Sequence, residues 1–502
     1  MGWLTVSDDR VALVLARECF SMAERDFGER LEKCDNYLRG VQSDPYAPDG
    51  MRDEMKNIME RSKQNWCALP VNAMCQTLAV DGYRRGRGES SDVGDRAAGD
   101  SLTDTEEWAT WKRSDMDAKQ SLVYRPAIAF GQGFTVVDRD YHGRPQIRVL
   151  SALHTAMIFE DVLCDDNALF ALTITRRPVV EGGELVSLGR AYGWDRYFRY
   201  EFAFDDGELF RVVERVEHGG NGHNPVTRFY SQMDSEGRVQ GIVEPLIPWQ
   251  DSLNQTLFNM LAAQSEGAFR TIVGTGIITP SIKDNNGNPV MDEFGNERKA
   301  PVRINPSSPL ITASPQARIT ALQPTDLSGF IEAARMHVQH FSAITQVPPN
   351  FLLGQMANLS ADALDAAEKS FRRRIGELKR LLGQSWARTF RVSRVVETGA
   401  TEDDDSWEHG ETVWRDFEDT AMSSRVDSLT KLATLGVPNK ALWAMVPGVT
   451  GPQLDKWAQL AQDQEPFNTL DTDSAAWLMS GSSAPRESRE FADEPRADAV
   501  LS

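Results

Sequence analysis

Apolar positions recur at helical spacing from Val11 to about Arg84. The stripe through Leu31, Tyr37 and Leu38 stops at Gly40 and resumes over Met51–Met59, beyond a loop that holds Pro45 and Pro48. A third apolar segment runs from Trp66 to Leu78, with Pro70 placed for a first helical turn. The polar, Gly-rich stretch from Gly86 to Asp100 predicts a loop. Glu106–Ala129 then predicts a helix carrying Trp108, Trp111, Met116 and Leu122, broken near Pro126. From there the period falls to two. GFTVVDRDYHGRPQIRVLS predicts two strands about a His142-Gly143 turn, and another strand begins at Ala168. Tyr197–Phe204 and Leu209–Val216 form a hairpin about Asp206-Gly207.

At Pro248 the period returns to 3.6, with Leu253, Leu257, Met260 and Leu261 on one face. The segment from Thr271 to Pro324 is rich in Gly, Pro and Asn; it predicts short strands at Gly276–Thr279, Pro301–Ile304 and Arg318–Leu322 and an Asn286-Gly287 turn. A second helix, capped at Thr325 or Asp326, aligns Leu327, Phe330, Ile331, Ala334, Val338, Phe341 and Ile344. It cannot continue past Pro348-Pro349. No formal charge stands between His340 and Asp362, and the prolines lie inside that stretch. Ser360 caps a third helix with the stripe Leu364, Ala367, Phe371, Ile375, Leu378, Leu382, Trp386 and Phe390. Gly376 and Gly383 lie on one of its faces and imply a kink or a close backbone contact. Helices are expected over Met422–Leu435, Asn439–Val446 and Pro452–Gln464, and a disordered tail from about Asn468. No internal repeat is evident. Helices and antiparallel strands in separate runs make the fold class α+β.

With 502 residues, 41% hydrophobic and 25% charged, the chain is an ordinary globular sequence with room for several domains. Its five cysteines are odd in number and show no C-x-x-C, which fits reduced thiols rather than a disulfide framework or zinc site. The opening MGWLTVSDDR lacks secretory features, and the prolines and amides of the uncharged stretch argue against a membrane span. No phosphate-cradling loop occurs, and DNNGNPVMDEFG fails as a calcium loop because Pro289 and Gly295 stand at two of its required positions. His337 and His340 share a helix face without a third ligand, and no nucleophile elbow is present. The basic run Arg372–Arg374, with Lys379 and Arg380, spreads around polar helix faces. An enzyme, a cofactor and a metal are therefore not expected. A net charge of −20 also opposes simple binding to nucleic acid.

Several segments in this order resemble a family. YLRGVQ, the Trp108–Trp111–Asp117 helix running into YRPAIAFGQGFTVV, PLIPWQDSLNQTLFNML, and VPPNFLLG followed by SADALDAAEKSF are similar to tailed-phage portal proteins, the head-to-tail connectors, of long-tailed actinobacteriophages. The resemblance spans about Tyr37 to about Phe390. It implies a multi-domain portal fold: a mixed wing over residues 1–244, stem helices over 245–270 and 325–346, and a small β-containing clip over 271–324. A tunnel loop over 347–360, a long kinked helix over 361–396, a helical crown over 397–467 and a tail over 468–502 would follow. It implies a homo-oligomeric ring of usually twelve subunits at one capsid vertex, passing double-stranded DNA. The implied partners are the terminase large subunit, the head-tail adaptor, and the major capsid and scaffold proteins. The location would be the virion, after assembly in the host cytoplasm. Gln346, Asn350, Gln355, Met356 and Asn358 are the expected channel-facing residues, and Lys283, Asp284, Arg298 and Lys299 the expected motor and adaptor surface. The rival readings are a capsid or scaffold protein without a channel and a nucleic-acid enzyme.

Overall fold

Buried side chains gather in two clusters, each where a helix stripe meets the inward positions of a sheet. The computed structural model describes residues 9–26, 28–47, 53–84, 105–163, 166–182, 184–205, 210–267, 272–275, 281–284, 287–299, 318–321, 325–353, 361–399, 410–415, 422–444, 446, 449, 453–454 and 456–461. They fall into two units, Met1–Arg415 and Asp416–Ser502. In the second unit the helices Met422–Thr434 and Asn439–Ala444 pack together. The expected tail lies outside the described residues.

Period-two patterning in the first unit produces a five-stranded antiparallel sheet in the order Arg211–Glu217, Phe198–Phe204, Gly189–Trp194, Phe170–Arg176, Thr155–Ile158. Phe170, Leu172, Ile174, Tyr200, Phe202 and Phe204 alternate inward and are buried. The helix Asp9–Ser21 covers them with Ala12, Ala16, Cys19 and Phe20, spaced to share one face. Phe20 meets Phe204 and Phe210 edge-on at 5.3 Å each. A Cβ at Gly193 would stand 2.6 Å from the Phe170 ring and 2.7 Å from the Phe202 ring, so only glycine lets these rings close over the strand.

The second sheet has the order Val226–Tyr230, Gln132–Arg139, Pro145–Leu150. The helix Met116–Phe130 and the 38-residue helix Ala361–Thr398 pack against it. The described part of the long-helix stripe, Phe371, Ile375, Leu378, Leu382, Trp386 and Phe390, is buried throughout. Trp386 lies at its centre, 4.8 Å from Trp111 and 4.7 Å from Phe229 between ring centroids. Its indole N–H donates to the Tyr124 hydroxyl at 2.9 Å, and that hydroxyl donates to Gln120 at 3.0 Å. The same Gln120 oxygen accepts the Val80 amide at 2.9 Å.

Two expectations change. The tryptophan helix breaks at Ser114-Asp115, not at Pro126: Glu106–Arg113 ends there, and Asp115 takes a left-handed φ of 55°. Pro126 sits inside the next helix, because the carbonyl its missing N–H would have met belongs to Leu122, which is exposed and within reach of water. Ahead of these helices, Val80–Arg84 is a strand rather than helix; it pairs antiparallel with Glu411–Trp414, past the long helix.

One turn recurs. Asp140, Asp234, Asp284 and Asp292 each accept, through Oδ1, the backbone N–H four residues on, at 2.8–2.9 Å. A left-handed glycine follows each after two residues, with φ between 74° and 84°. The aspartate replaces a backbone acceptor while glycine supplies the left-handed bend.

The two long-helix glycines behave differently. A Cβ at Gly376 meets nothing within 4 Å, whereas one at Gly383 comes within 3.1 Å of the Trp414 indole nitrogen. Gly376→Ala should therefore stabilise the chain by up to about 1 kcal/mol. Gly383→Ala should lose that gain to the clash with Trp414. Urea midpoints of the two variants check the difference.

His218 is buried, with Nδ1 accepting the Gly220 amide at 3.0 Å, so Nε2 carries the proton and faces the Asp195 carbonyl at 3.1 Å. Burial, opposed by that carbonyl, pulls its pKa from 6.5 to about 4. Because the folded pKa lies below the unfolded one, the unfolded chain takes up the proton first as pH falls. Stability should be flat above about pH 6.5 and decline by on the order of 3 kcal/mol toward about pH 4. His218→Gln should remove that part of the slope, read as the difference between wild-type and variant urea midpoints across the window.

Candidate functional site

Two helices, Ile247–Gly267 and Ser328–Thr345, pack against each other, and an amide network holds the first to the N-terminal helices. Gln250 and Asn254, one turn apart and fully buried, face the segment around Gln42 and Gln64. Gln250 donates to the Gln64 carbonyl at 2.6 Å and to Asn254 at 2.9 Å, and its oxygen accepts the Trp66 amide at 3.0 Å. Asn254 donates to Gln42 at 2.6 Å and accepts the Gln64 amide at 3.2 Å. On the flanks, the Tyr37 hydroxyl donates to Asp251 at 2.5 Å and Gln255 exchanges bonds with the Tyr46 backbone. YLRGVQ and PWQDSLNQ are thus two halves of one staple.

Little charge lies along this helix pair. No formal charge occurs from Ser252 to Ser265 or from Met336 to Ala361, and the Glu332 and Arg335 side chains stand 3.9 Å apart. Sequence reading saw the second run only beyond His340; the first was legible in the same way and was missed. His340 sits edge-on to Trp249 at 4.2 Å, and His337 Nε2 lies 3.3 Å from the Thr256 hydroxyl. Burial first, then the nearby His340, lowers the His337 pKa. Among the described residues no cluster of three metal-ligating side chains occurs.

Prolines end the second helix as expected, but not as a free loop. Gln346 takes a left-handed φ of 59° and is exposed, after which Val347 and Pro348 are buried. The Ser342 hydroxyl donates to the Val347 carbonyl at 2.7 Å, and Pro349 opens a short helix, Pro349–Leu353, that buries Leu352. Asn350 is half-buried on that helix. Proline is tolerated in a first helical turn, which is why the second of the pair starts an element rather than prolonging a loop. Gln355, Met356 and Asn358 lie outside the described residues.

Between the paired strands Ile272–Thr275 and Arg318–Ala321 the structure contains a repeat that sequence reading did not find. Ile282, Val290 and Arg298, eight residues apart, close a ring of backbone bonds: each N–H meets the carbonyl of another at 2.7–2.8 Å. The motif D-x-x-G-N supplies the turn in both repeats, at Asp284–Asn288 and Asp292–Asn296. Its eight-residue spacing was the available signal. Lys283, Asp284, Arg298 and Lys299 are all exposed on this unit, but the Asp284 carboxylate is engaged in its own turn. Phe294 and Met291, 87% and 55% exposed, were missed as surface groups. The expected strands at Gly276–Thr279 and Pro301–Ile304 lie outside the described residues.

The architecture is a mixed helical and antiparallel scaffold that carries a near-neutral helix pair with a strand-and-turn insert between its members. The family model described as phage portal protein, SPP1 Gp6-like, matches residues 25–466, and the chain belongs to that family. It is 26% identical over 380 residues to the portal protein of Mycobacterium phage L5, covering 72% of this chain and 71% of the relative. A solved structure, the virion of a native gene transfer agent particle, aligns with a TM-score of 0.41 and 12% identity over 80% of this chain and 95% of that one. Among the described residues no helix is long and apolar enough to cross a membrane.

Removing Asn254 would strand the Gln64 backbone amide, one N–H of the Gln250 side chain and the Gln42 oxygen together. Asn254→Ala should lower unfolding stability by at least about 2 kcal/mol, whereas Gln255→Ala, at the exposed flank, should cost about 0.5 kcal/mol. Denaturant titration of the two variants checks the contrast.

Proposed function

We propose that this portal protein assembles into a ring, of usually twelve subunits, whose channel passes double-stranded DNA during packaging and ejection. The single observation that carries the reading is the near absence of charge along the helix pair and the segment that follows it, in a chain of net charge −20. Duplex DNA carries one charge per about 1.7 Å, and each lysine or arginine on its phosphates releases counterions and resists sliding. A wall of amides and apolar groups within an acidic ring leaves DNA free to move. Gln346 and Asn350, together with Gln355, Met356 and Asn358, are the groups we place against the passing backbone.

The eight-residue repeat unit is the proposed docking surface for the terminase large subunit and afterwards the head-tail adaptor. Lys283, Arg298 and Lys299 would supply its charge and Phe294 and Met291 its apolar contact, with Asp284 shaping the turn rather than meeting the partner. Contacts of the outer domains with capsid and scaffold proteins would fix the ring at one vertex of the virion.

Electron microscopy of the purified chain should show a ring with a hole wide enough for a duplex; a compact monomer would overturn the reading. Gln355→Lys combined with Asn358→Lys should leave the ring intact and slow packaging about tenfold at low ionic strength, with relief by added salt. Packaging at the wild-type rate at every salt concentration would remove the neutral-wall mechanism.

A further inference from the structure

The basic run from Arg372 to Arg380 on the long helix divides into groups that are satisfied within the chain and groups that are not. Arg372 pairs with Glu368 at 3.1 Å, Arg374 pairs with Glu377 at 3.0 Å, and Lys379 donates to the Arg415 carbonyl at 3.1 Å. Arg373 and Arg380 are exposed, and among the described residues neither meets a carboxylate. They stand seven residues apart, two helical turns and about 10 Å along the axis, and so project from one face. Gly376, Glu377 and Gln384 share that face, and all three are exposed.

Gly376, between the two arginines, has no internal reason to be glycine. A Cβ added there meets nothing within 4 Å, and its backbone is ordinary helix. Only proline forms helix less readily, and neither packing nor backbone geometry within the subunit offsets that weakness. A bare helix surface between two unpaired guanidinium groups suits the close approach of another backbone.

We propose that this face of the long helix, with Arg373, Gly376 and Arg380, receives an acidic segment of a second copy of the chain and forms part of the contact between neighbouring subunits. The chain carries 74 acidic against 54 basic residues, so another copy offers mostly carboxylates. Two such basic faces would repel each other. The contact is therefore head-to-tail, basic face against a different, acidic patch, and contacts of that kind close into rings. Glu377, bound to Arg374, sets a carboxylate between the two arginines. That mixture suits a protein surface and disfavours the unbroken negative charge of a nucleic acid backbone. The contact depends on the chain forming a ring, and it names groups at which the subunits meet.

Mass photometry of the full chain over a range of protein and salt concentrations tests it. Arg373→Gln combined with Arg380→Gln, which exchanges exposed side chains for good helix formers, should raise the concentration for half-assembly about tenfold at low ionic strength, with the difference gone at about 1 M salt. Gly376→Leu should keep or raise the urea midpoint and weaken assembly at every salt concentration. Assembly of either variant at wild-type concentrations would overturn this contact and leave the ring reading standing. A wild-type chain that stays monomeric throughout would overturn both. Unchanged assembly of the double variant with loss of a wild-type retention on immobilised duplex DNA would assign the face to nucleic acid instead, and so overturn the contact.

Discussion

The hydrogen bond from the Trp386 indole to the Tyr124 hydroxyl joins parts of the chain that are far apart in sequence, and the first unit is arranged around it. Both groups are fully buried, so either would be costly to leave unpaired. Through Gln120 the same chain of bonds reaches the Val80 amide at the start of the strand that pairs with Glu411–Trp414. Trp111 packs edge-on against Trp386 and donates its own N–H to Asp117 at 3.0 Å, on the next helix. Three helices and a strand are therefore placed by donors and acceptors that aromatic packing seals from water, which gives them definite positions as well as adhesion.

That arrangement fixes the C-terminal half of the long helix, and the amide staple fixes the base of the helix pair. The two devices differ in kind. Around Trp386 the polar groups are few and the apolar area is large. In the staple, Gln42, Gln64, Gln250 and Asn254 satisfy one another with no formal charge among them. An ion pair at that depth would have required desolvating both partners. Amides join the helix to the N-terminal segment without that cost.

Much of this was legible because the physics is local. The switches of period at Gly131 and at Pro248 separate sheet from helix, and the stripe from Phe371 to Phe390 needs only 3.6-residue spacing. Tyr37, Gln42, Gln250 and Asn254 stood in the quoted motifs, although nothing in spacing alone could join them across the sequence. Non-local facts were hidden for that reason. Val80–Arg84 reads as the end of a helical region until its partner strand, beyond the long helix, is known. Asp115 breaks its helix because Trp111 and Met116 must both reach the core, and no propensity scale weighs that demand. The repeat from Ile282 to Arg298 was concealed by its divergent first positions, Ile, Val and Arg, which share only backbone bonds.

Neutrality along the helix pair has a physical consequence for the free chain. Ile331, Met336, Ile344 and Phe351 are each 40–51% exposed on the second helix and the segment after it, and beyond Arg335 no formal charge accompanies them before Asp362. Apolar surface of this kind is ordinary when scattered. Portal proteins work as oligomeric rings, and covering such residues with the next subunit would remove them from water. Low charge would then serve two ends: weak contact with a sliding polyanion, and close approach of like subunits whose remaining surface is strongly acidic. A chain of net charge −20 repels its copies on average, and like subunits approach with least repulsion where formal charge is absent.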